Sequence, residues 1–463
     1  MRQKKIIILI FILAFILRLI NLNQSFWLDE AAQVLESARP IGKQFDLASD
    51  FHPPLYHVIL HFWMYLGKSE IWIRLLSIVF GLGSIYFIYK IAKFLFDNNI
   101  AILSAFLVAI SPYHIWYSQE ARPYMLFVFA SLASTYFFLN NKWTFYIVFS
   151  ILSFYSLYFA PFLIFSHLIL ALIYKRNLLK EIFISLALII LSFIFWLPNF
   201  LVQLNTGING IFTGWTDIVS TSSLRLLPSI ISKFIWGRTG FEYKSAYLLI
   251  LLPAVSIFLY SLFISQKSKQ GRMTLILFFI PIISSFTISF FLPVVAPQRL
   301  LFILPLFSLI SAIGLNYHKN LTKKILLTIL LVTSVSGLLY YYLSPNAQRE
   351  QWRQAVNQIE SENETQNSIA LFVFPDPFAP YIWYSQGKVP GIGIAKSFIL
   401  QSTDLNFLGQ EIENKDRIYL FQYLTGLTDP KEKARRYIIN KEFKEGIVKN
   451  FPGVGLIFVY DRI

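Results

Sequence analysis

The sequence predicts an all-α polytopic membrane domain followed by a small extracytoplasmic α/β domain. Hydrophobic residues make up 56% of the 463 residues and charged residues only 14%, whereas soluble domains carry roughly 25% charged residues. Apolar runs long enough to cross a bilayer recur between residues 6 and 343. Beyond residue 343 the composition becomes polar, and helical and strand patterns alternate as they do in α/β domains.

The chain begins with a basic head at residues 1–5 and an apolar run at 6–22 that contains one charged residue, Arg18. No small-residue cleavage site follows this run, so we expect an uncleaved first membrane helix and not a signal peptide. Basic residues favour the cytoplasmic side of a membrane, which places the N-terminus inside. Asp29 and Glu30, which follow the first helix, are then outside.

We expect about eleven membrane spans in the domain formed by residues 1–343. A first outer loop covers 23–70 and includes an interfacial helix at 55–66, and a second outer segment covers 199–244. Spans after the first are predicted at 71–96, 100–117, 125–139, 143–159, 162–174, 182–197, 246–264, 274–292, 300–315 and 325–343. Three short basic loops, near residues 175, 267 and 319, all fall on the predicted cytoplasmic side. The odd number of spans places the α/β domain, residues 344–463, outside.

The composition also excludes several classes of function. With no cysteine in the chain, disulfides, thiolate metal sites and cysteine nucleophiles are excluded. A net charge of +15 is explained by the basic loops that orient the protein in its lipid bilayer, so we expect no nucleic-acid partner. No glycine-rich phosphate loop is present, so we expect no nucleotide cofactor.

Polar residues gather at the predicted outer face, at the ends of separate helices and loops. Because a charge within the bilayer costs about 2.5–3.5 kcal/mol on insertion scales, Arg18 and Arg74 need a compensating role. The alternative for each is that it snorkels to the interface, and Arg122 or Arg299 could be solvated at a turn. Together the set predicts a site for an anionic, lipid-borne group, since arginine suits phosphate. Its members are Arg18, Asp29, Glu30, His52, His57, Arg74, Gln119, Glu120, Arg122, Tyr124 and Arg299.

Four stretches occur in a characteristic order along the first third of the chain. They are Phe26-Trp27-Leu28-Asp29-Glu30-Ala31, His52-Pro53-Pro54-Leu55-Tyr56, Arg74-Leu75 and Tyr117-Ser118-Gln119-Glu120-Ala121-Arg122-Pro123-Tyr124. In this order they resemble the bacterial glycosyltransferases related to protein O-mannosyltransferases (the PMT-type superfamily), which have the GT-C membrane fold. The resemblance continues loosely at Gln298-Arg299-Leu300 and at residues 351–356.

The resemblance implies a donor sugar carried on polyprenyl phosphate and used outside the membrane, with an acidic catalytic residue in the first outer loop. Asp29 matches that residue. A carboxylate can accept the proton of an acceptor hydroxyl as the hydroxyl attacks the anomeric carbon, and attack opposite the phosphate would invert that carbon. The acceptor would be an extracytoplasmic cell-envelope glycan, lipid or protein, and the sugar a hexose or a pentose.

The remaining residues receive supporting roles in this hypothesis. Glu30 and Glu120 join Asp29 as catalytic residues. A divalent cation, Mg²⁺ or Mn²⁺, is a candidate cofactor at Asp29 and Glu30 because both metals prefer hard oxygen ligands. Arg122, Arg299, Arg18 or Arg74 would stabilise the leaving phosphate, and Gln119, Tyr124, His52 and Tyr56 are further candidates for binding substrate.

Two other classes of protein fit part of the pattern. A transporter or flippase of a lipid-linked or anionic substrate would have similar spans, but it should also show internal repeats, and none is visible. A non-catalytic membrane scaffold would explain the architecture without explaining the polar cluster. The position of Asp29 and Glu120 on the same side of the membrane is required by the enzyme hypothesis alone.

Overall fold

The computed structural model describes residues 2–47, 51–209, 226–238, 244–292, 294–363 and 367–463. The chain forms two compact units. The first comprises Met1–Leu22, Pro40–Ile208 and Trp215–Ser344 within these described ranges, and the second combines Asn23–Arg39 with Pro345–Ile463. The predicted division into residues 1–343 and 344–463 stays a prediction, and the compact units add residues 23–39 to the C-terminal part.

The first unit is helical. Its helices are α1 Arg2–Leu19, α3 Leu55–Trp63, α4 Glu70–Leu95, α5 Asn98–Ala109, α6 Pro112–Ser118, α7 Tyr124–Leu139, α8 Trp143–Phe154, α9 Ala160–Tyr174, α10 Leu179–Phe193, α11 Leu197–Asn209, α12 Leu226–Trp236, α13 Lys244–Ser265, α14 Lys269–Ser289, α15 Leu304–Tyr317 and α16 Asn320–Leu343. A 3₁₀ segment, Pro297–Ile303, leads into α15.

Helix boundaries follow local signals in the sequence. The Ser69 hydroxyl accepts a hydrogen bond from the backbone N–H of Trp72 at the start of α4 (3.3 Å), and Asp97 caps α5 through Asn99 and Ile100. Such side chains satisfy backbone N–H groups that have no partner within the helix. Pro112 occupies the first turn of α6, where the absence of an N–H costs nothing.

The predicted number of about eleven spans is not reproduced by helix length and composition. Among the described residues, five helices are long and apolar enough to cross a membrane, or seven if each of two bent pairs is one span. The predicted span at 100–117 is one of these pairs, α5 and α6, which meet at an angle of 62°. The second pair bends by 67° after Phe193. Several other predicted spans, such as α8, are short apolar helices.

The two long outer segments predicted from the sequence contain regular structure. A helix of 11 residues, α2 Leu28–Ala38, begins one residue before Asp29, where the sequence analysis placed a loop. The helix α3 matches the predicted interfacial helix at 55–66 to within three residues. In the second segment, α11 and α12 are helical, whereas residues 210–225 and 239–243 lie outside the described ranges.

The second unit contains a five-stranded sheet with helices around it. Its elements beyond α2 are α17 Trp352–Ser361, β1 Ser368–Phe372, α18 Ala379–Tyr384, β2 Gly391–Gly393, α19 Asp404–Ile412, β3 Arg417–Phe421, α20 Thr425–Thr428, α21 Lys433–Ile439, β4 Phe443–Phe451 and β5 Gly455–Arg462. The strand order is β2-β1-β3-β5-β4. The three strands β2, β1 and β3 are parallel, and β5 joins β3 and β4 antiparallel.

Two buried clusters fill the faces of this sheet. One is built around Trp352, Phe372 and Phe421, and Leu28 of α2 packs against it. The other is built around Leu371, Leu420 and Ile438. The structure thus confirms the predicted combination of an apolar helical part and a small C-terminal α/β part. It also packs the start of α2, which carries Asp29, with the C-terminal strands.

Candidate active site

In the helical unit, the turn between α6 and α7 is buried although it is short and polar. Gln119 is 2% exposed, Glu120 1% and Arg122 8%, and the backbone N–H of Arg122 donates to the carbonyl of Glu120 at 2.9 Å. Burial excludes the simple alternative of a solvated turn. Because burying charged groups is costly unless they have partners, such a turn needs a structural or chemical reason.

The Glu120 carboxylate has its first partner on the preceding helix. The indole N–H of Trp116 donates to Glu120 Oε2 at 2.9 Å. The guanidinium of Arg238 lies over the Trp116 ring, 4.8 Å from its centroid. Tyr341 also packs against Trp116, with the two ring centroids 4.8 Å apart. A carboxylate and an arginine from distant parts of the chain thus share one indole.

A row of aromatic rings extends from this turn. Tyr113, Tyr117 and Tyr124 follow one another with ring centroids 5.0 Å and 5.1 Å apart, and His52 contacts Tyr124 edge-to-face at 6.1 Å. Glu120 and Arg238 lie within electrostatic range of the Tyr117 hydroxyl. The row therefore places phenol hydroxyls next to the buried carboxylate.

Arg299 belongs to the same cluster. Its side chain lies within electrostatic range of Arg122 and of Tyr124, and its Nη1 donates to the carbonyl of Val294 at 2.7 Å. Two arginines near one another repel unless an anion lies between or beside them. Arg122, Arg299 and Arg238 are therefore the arginines of this unit best placed to receive an anionic group.

Arg18, in contrast, forms hydrogen bonds with groups on the packed helices. It is fully buried. Its Nε donates to Ser118 Oγ (3.1 Å), its Nη1 to the carbonyls of Ala14 (2.8 Å) and Ala109 (3.0 Å), and its Nη2 lies 2.8 Å from His114 Nδ1. Since most of its N–H groups are engaged within the protein, the contacts favour a structural role and not the predicted role in binding substrate.

Three other predicted binding residues also serve the packing. The Gln119 amide donates to the carbonyls of Arg18 (2.9 Å) and Ile20 (2.6 Å) and accepts from the Tyr341 hydroxyl (2.7 Å). Arg74 Nη1 donates to the carbonyl of Leu22 at 2.8 Å, and the Tyr56 hydroxyl lies 3.0 Å from that of Ser77. Gln119 and Arg74 thus hold the end of α1 in place.

The adjacent carboxylates Asp29 and Glu30 lie in the other compact unit. Asp29 and Glu30 form the first turn of α2; Asp29 is half-buried and Glu30 is fully buried. The backbone N–H of Leu28, just before them, donates to Glu350 Oε2 at 3.3 Å. Removal from water raises the pKa of Glu350, as does the neighbouring Asp29, while hydrogen bonds from Trp352 and Tyr423 act in the opposite direction.

The described residues offer little support for a resident metal ion. In these ranges no three His, Cys, Asp or Glu side chains form a group that could hold one. Asp29 and Glu30 alone would leave most positions of an octahedral Mg²⁺ or Mn²⁺ to other ligands. The divalent cation at Asp29 and Glu30 stays a prediction, and no step below is routed through a metal.

Several residues of the cluster were not singled out from the sequence. Tyr113 and Tyr117 are four residues apart and share a helix face, which is a readable signal. Arg238 follows Trp236-Gly237 in the second outer segment and carries no motif. Glu350 lies in a polar stretch before α17, and nothing in that stretch connects it to Asp29.

With the geometry described, the chain can be compared with known proteins. Residues 51–202, which contain the buried turn, match the family model described as Dolichyl-phosphate-mannose-protein mannosyltransferase. No curated protein sequence matches the chain.

Solved structures resemble the chain over almost its whole length. ArnT from Cupriavidus metallidurans, bound to undecaprenyl phosphate, matches with a TM-score of 0.62 and 11% identity over 98% of this chain and 97% of that chain. Archaeal oligosaccharyltransferase AglB from Archaeoglobus fulgidus, in complex with an inhibitory peptide and a dolichol-phosphate, matches with a TM-score of 0.53 and 11% identity. That match covers 100% of this chain and 74% of that chain. Arabinofuranosyltransferase AftD from Mycobacteria matches with a TM-score of 0.54 and 12% identity. That match covers 99% of this chain and 39% of that chain.

The solved structures confirm the predicted GT-C fold. The family model, which matches residues 51–202, supports the resemblance to the PMT-type superfamily. The long apolar helices of the described residues, together with this fold, support a multi-pass membrane protein. The assignment of individual catalytic and binding residues stays a prediction.

Proposed function

We propose that this GT-C chain is a membrane glycosyltransferase that moves a sugar from a polyprenyl-phosphate donor to an extracytoplasmic acceptor, with inversion. The observation that carries the proposal is the buried turn in which Glu120 and Arg122 lie near Arg238 and Arg299, inside the segment that matches a mannosyltransferase family model. Two proteins of the same fold have been captured with undecaprenyl phosphate and with dolichol-phosphate, which supports a lipid-linked donor.

The arginines of the cluster suit the leaving group of this reaction. As the bond between the anomeric carbon and the phosphate oxygen breaks, the oxygen keeps the electron pair and negative charge builds on the phosphate. Fixed cations aimed at that charge stabilise the transition state, and arginine matches phosphate geometry with paired N–H groups. Arg122, Arg299 and Arg238 take this role, whereas Arg18 and Arg74 keep the helices in position.

The acceptor side of the reaction needs a base. The acceptor hydroxyl attacks the anomeric carbon from the side opposite the phosphate, which inverts that carbon, and its proton passes to a carboxylate. Asp29 is our candidate, since it is half-buried at the first turn of a helix and ionisable. Glu30 and Glu120 support the reaction by fixing the orientation of neighbouring groups.

The proposal includes an orientation. The N-terminus is cytoplasmic and residues 345–463 are extracytoplasmic, because the three lysine-rich short loops favour the inside. Since the chain has no native cysteine, a single cysteine at Asn363 should react with an impermeant thiol reagent in intact cells. A cysteine at Gln270, in the first turn of α14 beside the basic loop near residue 267, should react after lysis only. The reverse pattern would overturn the orientation.

Mass spectrometry of cell-envelope glycans is the broad test of the proposed activity. Cells that lack the protein should lose one sugar substituent, and the wild-type gene should restore it. A Glu120→Gln variant should fail to restore it, whereas Glu181→Gln, a carboxylate on α10 outside the cluster, should succeed. Identical glycans in all strains, with the protein present in the membrane, would contradict the proposal.

A further inference from the structure

In the second unit, the segment before α2 is tied to the segment before α17. Arg353 Nη2 donates to the carbonyl of Asn23 at 3.0 Å, and the backbone N–H of Arg349 donates to Gln24 Oε1 at 2.8 Å. The hydroxyl of Ser25 donates to the carbonyl of Glu350. Residues separated by more than 300 positions in sequence therefore run side by side.

The Glu350 carboxylate joins three elements. Its Oε2 accepts from the backbone N–H of Leu28 (3.3 Å) and from the indole N–H of Trp352 (2.7 Å), and its Oε1 accepts from the Tyr423 hydroxyl (2.9 Å). Leu28 is the first residue of α2, Trp352 is the first residue of α17, and Tyr423 follows β3. One side chain thus connects the Asp29 helix with a helix and a strand of the α/β fold.

The groups around Glu350 are themselves held firmly. Trp352 is fully buried and stacks on Phe421 at 5.8 Å. The backbone of Glu350 lies so close to Gly453 that a Cβ there would be 2.8 Å from the Glu350 Cα, and Gly453 has a φ of +79°. Only glycine fits both conditions readily, so position 350 cannot shift without disturbing the hairpin between β4 and β5.

The hydrogen bond from the Leu28 backbone N–H to Glu350 lies in the first turn of α2. The first N–H groups of a helix have no partner within it, and an acceptor placed there fixes where the helix starts. Asp29 is the next residue along, so its position depends on this anchor.

We propose that Glu350 is a positioning residue: its carboxylate anchors the first turn of α2 and thereby holds Asp29 in its working place. The inference rests on the proposed function, because it assigns Glu350 a role in the work of the Asp29 base. Glu350 touches no reacting atom in this scheme and acts through hydrogen bonds. Its charge is not required.

That distinction can be tested by substitution. In Glu350→Gln the amide oxygen can accept from Leu28 and Trp352, and the amide nitrogen can donate to the Tyr423 oxygen. All three contacts survive without the charge. Glu350→Ala removes all three.

Glu360 supplies a matched control in the same unit. It is 4% exposed, and its carboxylate accepts from the Ser385 hydroxyl (2.7 Å) and from the backbone N–H of Gln386 (3.1 Å), both just after α18. Glu360→Ala therefore removes a buried carboxylate with several hydrogen bonds and leaves the anchor of Leu28 intact.

Hydrogen exchange and steady-state kinetics would be measured on the full-length protein and these three variants in detergent. In Glu350→Ala we expect faster amide exchange in residues 28–38, a kcat lower by about 10²-fold, the cost of a small misplacement of a catalytic group, and an unchanged KM for the lipid donor. Glu350→Gln and Glu360→Ala should match the wild type in both readouts. In an Asp29→Asn background, Glu350→Ala should cause no further loss of kcat.

Each alternative result separates one claim from another. Unchanged exchange in Glu350→Ala, or an equal loss of kcat in Glu360→Ala, would overturn the positioning role. Loss of kcat in Glu350→Gln would also overturn it, because the charge itself would then be needed. A wild-type protein without sugar transfer would refute the proposed function, and the exchange data would still decide whether Glu350 anchors α2.

Discussion

The two regions that carry the candidate chemistry differ in the sign of the charge that they gather. In the helical unit, Arg122 lies two residues from Glu120, Arg238 lies over the Trp116 ring that donates to Glu120, and Arg299 lies within electrostatic range of Arg122. In the α/β unit, three carboxylates, Asp29, Glu30 and Glu350, lie at or beside one helix start, and the nearby Arg353 points to backbone oxygen. A transfer from a phosphate to a hydroxyl needs both: cations for the leaving group and a base for the acceptor.

A second contrast lies within the helical unit, between Arg18, which is fully buried, and Arg299, which is half-buried. Arg18 gives its N–H groups to Ser118, His114 and backbone carbonyls. Arg299 donates from Nη1 to the carbonyl of Val294, and its side chain lies within electrostatic range of Arg122. Burial alone therefore does not identify a binding residue. The difference lies in how many guanidinium N–H groups donate to acceptors within the protein.

The largest effect should come from the carboxylate region. Asp29→Asn keeps the shape of the side chain and loses its basicity, so turnover should fall by about 10²–10⁴-fold, the usual contribution of a positioned base. Binding of the lipid donor should persist. Glu36→Gln, on the same helix, is the control and should keep wild-type turnover. Full turnover in Asp29→Asn would pass the role of base to Glu30 or Glu120.

The arginine region should give the next largest effect, and on binding. Arg122→Ala removes charge-assisted hydrogen bonds worth about 1.5–3 kcal/mol, so the KM for the lipid donor should rise roughly 10- to 100-fold. The protein should still insert and fold. Arg272→Ala, at the start of α14, is the exposed control. If donor use is normal in Arg122→Ala and in Arg299→Ala, the cluster does not hold the phosphate.

Arg18 should affect stability and leave substrate kinetics alone. Arg18→Met leaves buried acceptors without their donor, at about 1–3 kcal/mol for each group left unsatisfied. The Tm of the variant should fall clearly. Its KM for the lipid donor, measured at temperatures below the onset of unfolding, should stay unchanged. Arg176→Met, an exposed arginine, should show neither change. A raised KM at unchanged Tm would return Arg18 to the binding site.

The smallest expected effect is a pH dependence of stability in the α/β unit. Burial raises the pKa of Glu350, so the folded state favours the protonated carboxyl more than the unfolded state does. Its contribution is complete below the unfolded pKa and is lost as the pH rises through the folded pKa. Thermal unfolding of the wild type should therefore lose stability relative to Glu350→Gln as the pH rises above about 4 to 5. Parallel curves would contradict this.

The features that could be predicted from the sequence are those set by the local pattern of apolar and polar residues. Long apolar runs gave helices such as α4 nearly to the residue, and the Gln119–Pro123 turn was recognisable because charged residues interrupt two apolar helices. The edge strand β4, Phe443–Phe451, is hard to predict because most of its residues are exposed and its apolar and polar residues do not alternate. The bend between α5 and α6 was not predicted, although Pro112 marks it.

Contacts between distant segments were beyond reach of the sequence. Nothing near residue 350 shows that its carboxylate meets Leu28, and nothing near residue 18 shows that Arg18 meets His114. Both pairs exist because tertiary packing brings separate elements together. The resemblance to PMT-type enzymes named Asp29, and the structure supplied the surroundings in which its role can be tested.

The most direct test of the central claim is a single-turnover reaction with purified protein, a polyprenyl-phosphate sugar and extracted cell-envelope acceptors. We predict that polyprenyl phosphate and the glycosylated acceptor form in equal amounts, and that NMR of the product shows the anomeric configuration inverted relative to the donor. Donor that binds and is recovered intact, or is carried across the bilayer of proteoliposomes without loss of its sugar, would contradict the account.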